Sequence, residues 1–61
     1  MKSQEIQPGD VLMDTTDGAV IYTVEGVEAQ PPHVIATVRL VDGGTSRRMW
    51  EIGKDTLLTR P

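Results

Sequence analysis

The sequence is short of most things that fix a function. It has no cysteine, so neither a disulfide nor a thiolate-held metal can reinforce the fold. It has no phenylalanine and only two aromatic residues, Tyr22 and Trp50. The core must therefore be built mainly from Val, Ile, Leu and Met. No apolar run approaches the roughly 20 residues that span a bilayer. The opening Met-Lys-Ser-Gln-Glu lacks the apolar stretch of a signal peptide. A soluble, cytoplasmic protein with no membrane association is the expectation. Positive charge is also scarce: the net charge is −3 and the pI about 4.8. Attraction to phosphate backbones needs clustered positive charge, so the balance argues against a free-standing nucleic-acid binder. No window repeats its apolar residues at helical spacing.

What is present is a series of short strand signals. With 61 residues the chain is one domain with a thin stability margin. Residues 1–7 are polar apart from Ile6 and read as a flexible N-terminal arm; residues 8–61 read as the domain. Pro8-Gly9-Asp10 is a turn, since Pro presets φ and Gly accepts positive φ. Val11-Leu12-Met13 is a first strand, and Asp14–Gly18 a polar hairpin loop. Ala19–Val27 is the longest strand, with Val20, Tyr22 and Val24 on one face. Gly26 lets it bend or bulge. Glu28–His33, with Pro31-Pro32 inside, reads as the widest loop, because proline cannot donate to a ladder.

His33–Val41 puts Val34, Ala36, Val38 and Leu40 on one face and Ile35, Thr37, Arg39 and Val41 on the other. Asp42-Gly43-Gly44 is a turn, and Ser46–Ile52 the return strand. An odd loop pairs the first face with Arg48, Trp50 and Ile52; an even loop would bury Glu51. The odd register predicts a three-residue loop with a left-handed Gly, Trp50 in the core, and Arg47, Met49 and Glu51 outward. Gly53-Lys54-Asp55 is a short turn that could hold one 3₁₀ turn, and Thr56–Thr59 a last strand through Leu57 or Leu58. Five short strands with tight hairpins make an all-β small barrel or orthogonal sandwich.

The succession Pro8-Gly9-Asp10-Val11, a hairpin, the Ala19–Val27 strand, the Val34–Ile52 hairpin and Gly53-Lys54-Asp55 before Leu57-Leu58 resembles the SH3-like barrel superfamily over residues 8–60. The Pro-Gly-Asp-Val opening is similar to that of KOW-type and Tudor-like barrels. In overall style the chain also resembles short proteins of actinobacteria and their phages. The resemblance implies a five-stranded barrel. It transfers no binding residues. Peptide-binding SH3 domains carry an aromatic groove, Tudor-type domains an aromatic cage, and RNA-binding KOW-type domains a basic surface. Two aromatics and a net negative charge supply none of these.

No catalytic constellation stands out. His33 is the one histidine and lies at a loop edge; Ser3 and Ser46 have no base at a readable spacing. No enzyme activity, cofactor, metal or small-molecule substrate is expected. Asp14-x-x-Asp17-Gly18 superficially resembles a calcium loop, but the ligand spacing is wrong and no closing Glu follows; a hairpin turn explains it. The acidic loop residues read either as a surface for a basic partner, or a mimic of nucleic acid, or as solubilising charge, and the last is favoured at a net charge of −3.

The hairpin that carries Arg39, Arg47 and Arg48 is the basic cluster. Its outer face also bears Ile35, Val41 and Met49, with Ile21 and Val27 as further candidates. Contiguous exposed apolar residues suggest an interface, and Met adapts well at one. A second layer of core is the competing reading. The expected function is a non-catalytic module that docks on a protein partner or self-associates through Ile35, Arg39, Val41, Arg47 and Met49. The alternative is contact with nucleic acid or a ribonucleoprotein through Arg39, Arg47 and Arg48.

Overall fold

Five runs of strand-forming residues become five strands in a computed structural model, which describes residues 1–16 and 18–61. They are β1 (Val11–Asp14), β2 (Val20–Gln30), β3 (His33–Leu40), β4 (Thr45–Glu51) and β5 (Leu58–Thr59). All neighbours are antiparallel, in the order β4-β3-β2-β1-β5. The sheet is open, with β4 and β5 as its two edges. No helix is long and apolar enough to cross a membrane.

The β3–β4 hairpin has the odd register. Arg39 pairs with Thr45, Ala36 with Arg48 and Val34 with Trp50. The Leu40 N–H donates to the Gly44 carbonyl at 2.7 Å, closing a loop of Val41, Asp42 and Gly43. Gly43 has φ +90°, a conformation open to residues without a Cβ. The Asp42 carboxylate accepts the Gly44 N–H at 2.8 Å and holds the turn. Trp50 is only half-buried: it packs against the core cluster from the β4 edge instead of lying inside it.

A bulge at Glu25 divides β2. Val24 pairs with Val38, but Gly26 pairs with Thr37, so one residue is extra. Tyr22 and Val24 point inward before it. Beyond it the inward side passes to Val27, which pairs with Ala36 and packs against the core. Val27 therefore leaves the list of outward apolar residues.

Three expectations are corrected. Glu28–His33 is not a wide loop: β2 runs on to Gln30 and pairs with His33, leaving Pro31-Pro32 as a two-residue turn. At those two positions no ladder N–H is required, so the prolines cost the sheet nothing. The peptide bond between them is cis. Residues 1–7 are not a loose arm. Ser3–Glu5 forms a 3₁₀ turn, Ile6 enters the core and Ser3 is fully buried. The Ser3 hydroxyl donates to the Glu51 carbonyl at 2.7 Å and accepts the Gly53 N–H at 3.1 Å. That turn is the one 3₁₀ segment among the described residues; Ile52–Gly53 is a simple turn before β5.

The core is Ile6, Leu12, Tyr22, Val24, Ala36, Val38 and Leu58. Every strand except the β4 edge supplies at least one of these side chains. Leu58 is the residue of the final strand that is buried; Leu57 is exposed.

Candidate functional site

Two places in this sheet gather chemistry. The first is internal. Asp14 and Tyr22 lie on the inner faces of adjacent strands, and both are buried. The Tyr22 hydroxyl donates to Asp14 Oδ2 at 3.1 Å. Asp14 Oδ1 accepts the Thr16 N–H at 2.9 Å and the Thr16 hydroxyl at 2.6 Å. Arg48, inward on β4, holds its guanidinium 5.8 Å from the centre of the Tyr22 ring. Its Nε is buried without a hydrogen-bond partner among the described residues.

Burial by itself would raise the Asp14 pKa. The Thr16 and Tyr22 hydrogen bonds and the Arg48 charge outweigh it and hold the carboxyl below its ordinary 3.8. Burial, followed by the Asp14 charge and hydrogen bond, pushes the Tyr22 phenol well above its usual value. Both groups stay in one protonation state through the neutral range, so the cluster is a brace and not an acid–base pair. A depressed folded-state pKa stabilises the fold above the unfolded-state value and is lost as pH falls through the folded one. The parent chain should therefore lose urea resistance below about pH 4, and Asp14→Asn should flatten that limb. Unfolding midpoints measured from pH 6 to pH 2 check this; parallel curves would refute it.

The second place is the outer face of β2–β3–β4, where the expected docking residues lie. Ile35 pairs with Met49, and Thr37 with Arg47, so Ile35, Arg47 and Met49 share one corner. Ile35 is half-buried and forms the floor of a shallow hollow between Gln30 of β2 and Arg47 and Met49 of β4. Met49 is 61% exposed.

The other two expected residues do not join this corner. Val41 sits on the hairpin loop, 84% exposed, six positions along from Ile35, roughly 20 Å of strand. It lines a different hollow with Ala19, Val20 and Ile21. Arg39 is held by Glu25 of the bulge, through Nε at 2.9 Å and Nη2 at 2.7 Å to the same carboxylate oxygen. Strand periodicity cannot reveal that pairing, because the bulge that turns Glu25 toward Arg39 breaks it. Val11 and Met13 also face outward on β1, Met13 paired with Ile21. Their alternation with buried Leu12 is the signal that places them there.

The three arginines accordingly point to three places. Arg39 is ion-paired, Arg48 turns inward over Tyr22, and Arg47 alone is outward without an ion pair among the described residues. His33 is half-buried at the start of β3, opposite Glu51. No group of three or more His, Cys, Asp or Glu residues that could hold a metal occurs among the described residues. Asp14 of the calcium-like spacing is engaged with Thr16 and Tyr22, and Asp17 lies outside the described residues. No family model, curated protein or solved structure matches the chain.

Proposed function

We propose that this chain is a non-catalytic binding module that docks on another protein through the Ile35/Arg47/Met49 corner. The observation that carries the reading is the convergence on adjacent β3 and β4 of an adaptable exposed Met, a half-buried Ile and an outward Arg without an ion pair among the described residues. Exposed sheet corners of mixed apolar and Arg character suit protein interfaces, which favour Met and Arg over Lys and Glu. The meander order and the bulged β2 also support the SH3-like small barrel as the fold type, as does the resemblance over residues 8–60. A cytoplasmic setting accords with the cysteine-free composition. Nucleic-acid contact through the hairpin has less support, because the three arginines do not converge.

The test compares the parent chain with the Arg47→Ala/Met49→Ser variant in affinity capture from the native host. Both residues are exposed, so the variant should keep its unfolding free energy within about 0.5 kcal/mol of the parent's. A protein retained by the parent and lost by the variant is expected. A strictly monomeric chain in sedimentation that retains nothing would overturn the reading. Salt-sensitive RNA or DNA retention abolished by Arg47→Ala would favour the nucleic-acid alternative instead.

A further inference from the structure

Antiparallel pairing makes the two sides of an edge strand chemically unlike. The residues of bonded pairs turn their N–H and C=O toward the neighbour, and the alternate residues turn theirs away. In the β3–β4 ladder, Leu40 N–H bonds Gly44 and Ile52 N–H bonds Pro32 at 2.9 Å. The even-numbered residues of β4 therefore face β3. Thr45, Arg47, Met49 and Glu51 face the open side. Glu51 is already occupied, since its carbonyl accepts the Ser3 hydroxyl. The free ladder is thus three residues long: Thr45, Arg47 and Met49.

An open, regular edge is a template for another strand, and proteins usually blunt such edges. Here one end is covered by the N-terminal turn, Asp14 and Thr16 border the strand across a hollow, and no other segment bonds the main chain of Thr45, Arg47 or Met49 among the described residues. The bare stretch has a distinct charge. Arg47 projects outward and Arg48 inward at adjacent positions, and neither has an ion pair among the described residues. Arg48 also keeps a buried Nε with no acceptor among the described residues. The other arginines and Lys2 are each matched to a carboxylate: Arg39 to Glu25, Arg60 to Asp10 and Lys2 to Asp55. Lys54 also lacks an ion pair among the described residues, and Asp14 feels the Arg48 charge, so Arg47 is the outward cation that this edge offers without a carboxylate partner among the described residues.

A second copy of the chain is a poor occupant. With Ser3 closing the ladder at Glu51, two β4 strands can overlap only over Thr45–Met49. The two-fold register that uses this whole window sets Arg47 opposite the same arginine, and the next one sets Arg48 opposite the same arginine over Arg47–Met49 alone. Like charges directly across a ladder are destabilising.

We propose that the open edge of β4, Thr45–Met49, takes an extended acidic segment of a partner protein by strand addition. Main-chain bonds to Arg47 and Met49 supply the affinity, and alternate side chains supply the specificity. In antiparallel orientation the fitting segment reads, from its N-terminal side, apolar opposite Met49, acidic opposite Arg48 and acidic opposite Arg47. The two carboxylates fall on opposite faces, one over the Ile35 hollow and one toward Arg48 and Tyr22. This inference rests on the docking reading and names the chemistry of its partner.

The test uses the full chain, labelled with nitrogen-15, and an acetylated nine-residue peptide with two adjacent glutamates flanked by valine and threonine. The free protein should show fast amide exchange at Arg47 and Met49, and saturating peptide should slow both by at least about tenfold. Binding should weaken with added salt and with Arg47→Ala. A peptide with lysines for the glutamates should not bind. Neither should one N-methylated at the ladder positions, which keeps its charge but loses its donors. Met49→Pro removes an N–H that has no partner among the described residues, and should abolish binding while the variant still unfolds cooperatively. Unchanged exchange at Arg47 and Met49 with millimolar peptide would overturn the proposal. So would equal binding of the N-methylated peptide, or protection that rises with protein concentration in the absence of peptide. Should the edge fail while capture still depends on Arg47 and Met49, the docking reading stands and strand addition falls.

Discussion

Tyr22→Ala leaves the chain largely unfolded in water at 25 °C. Tyr22 is the largest of the fully buried side chains in a core without phenylalanine. Truncating a buried large aromatic to alanine costs about 3–5 kcal/mol in lost transfer energy and cavity formation. Two further losses follow. The Asp14 carboxylate keeps its burial but loses the hydroxyl donated at 3.1 Å, a cost of about 1–3 kcal/mol for a buried group left short of a partner. Arg48 loses the ring beneath its guanidinium. A domain of 61 residues holds only about 3–9 kcal/mol in all at the usual per-residue stability. Tyr22→Phe isolates the polar part: the ring stays, and the loss should be about 1–2 kcal/mol. Urea unfolding followed by Trp50 fluorescence measures both. A cooperative Tyr22→Ala transition near the parent midpoint would show that the core closes without the ring.

Removing residues 1–7 has an effect of similar size. Ile6 belongs to the buried cluster, and Met1 packs against it. Ser3 N–H bonds the Lys54 carbonyl at 3.1 Å, and the Met1 carbonyl accepts both the N–H and the hydroxyl of Thr56 at 2.9 Å. The segment closes one end of the sheet and ties the β4–β5 connection to it. Ile6→Ala alone should cost about 2–5 kcal/mol, and deletion of the segment more. Gln4→Ala, an exposed position in the same turn, should shift stability by less than about 0.5 kcal/mol. Equal midpoints for the parent, Ile6→Ala and the truncated chain would mean that the segment is the loose arm its polar composition suggests.

That contrast shows where sequence reading stopped. In residues 1–7 a single Ile among polar residues carries no periodicity, so nothing local says that it is buried. The burial depends on a cluster assembled from side chains spread from Leu12 to Leu58. Pro31-Pro32 misled for a related reason. Proline is barred from a ladder, yet a two-residue turn needs no ladder N–H, and only pairing of Gln30 with His33 shows that the turn is that tight. The proposed docking corner was legible to the extent that it rests on two-residue alternation within one hairpin. Ile35, Arg47 and Met49 follow from the odd register. The separation of Arg39 and Val41 from them does not, because one depends on a bulge in a different strand and the other on distance along the sheet.

Local chemistry by itself determined that this is an all-β chain, where its main hairpin turns and which side chains of that hairpin face the core. Alternation and a left-handed glycine act over a few residues and need no distant contact. Tertiary structure alone decided that the sheet stays open with β4 at its edge, that the N-terminal turn seals the end of that edge, and that Arg47 and Arg48 have no ion pair among the described residues. These follow from which strands find one another and which carboxylates come within reach, and both are properties of the assembled sheet.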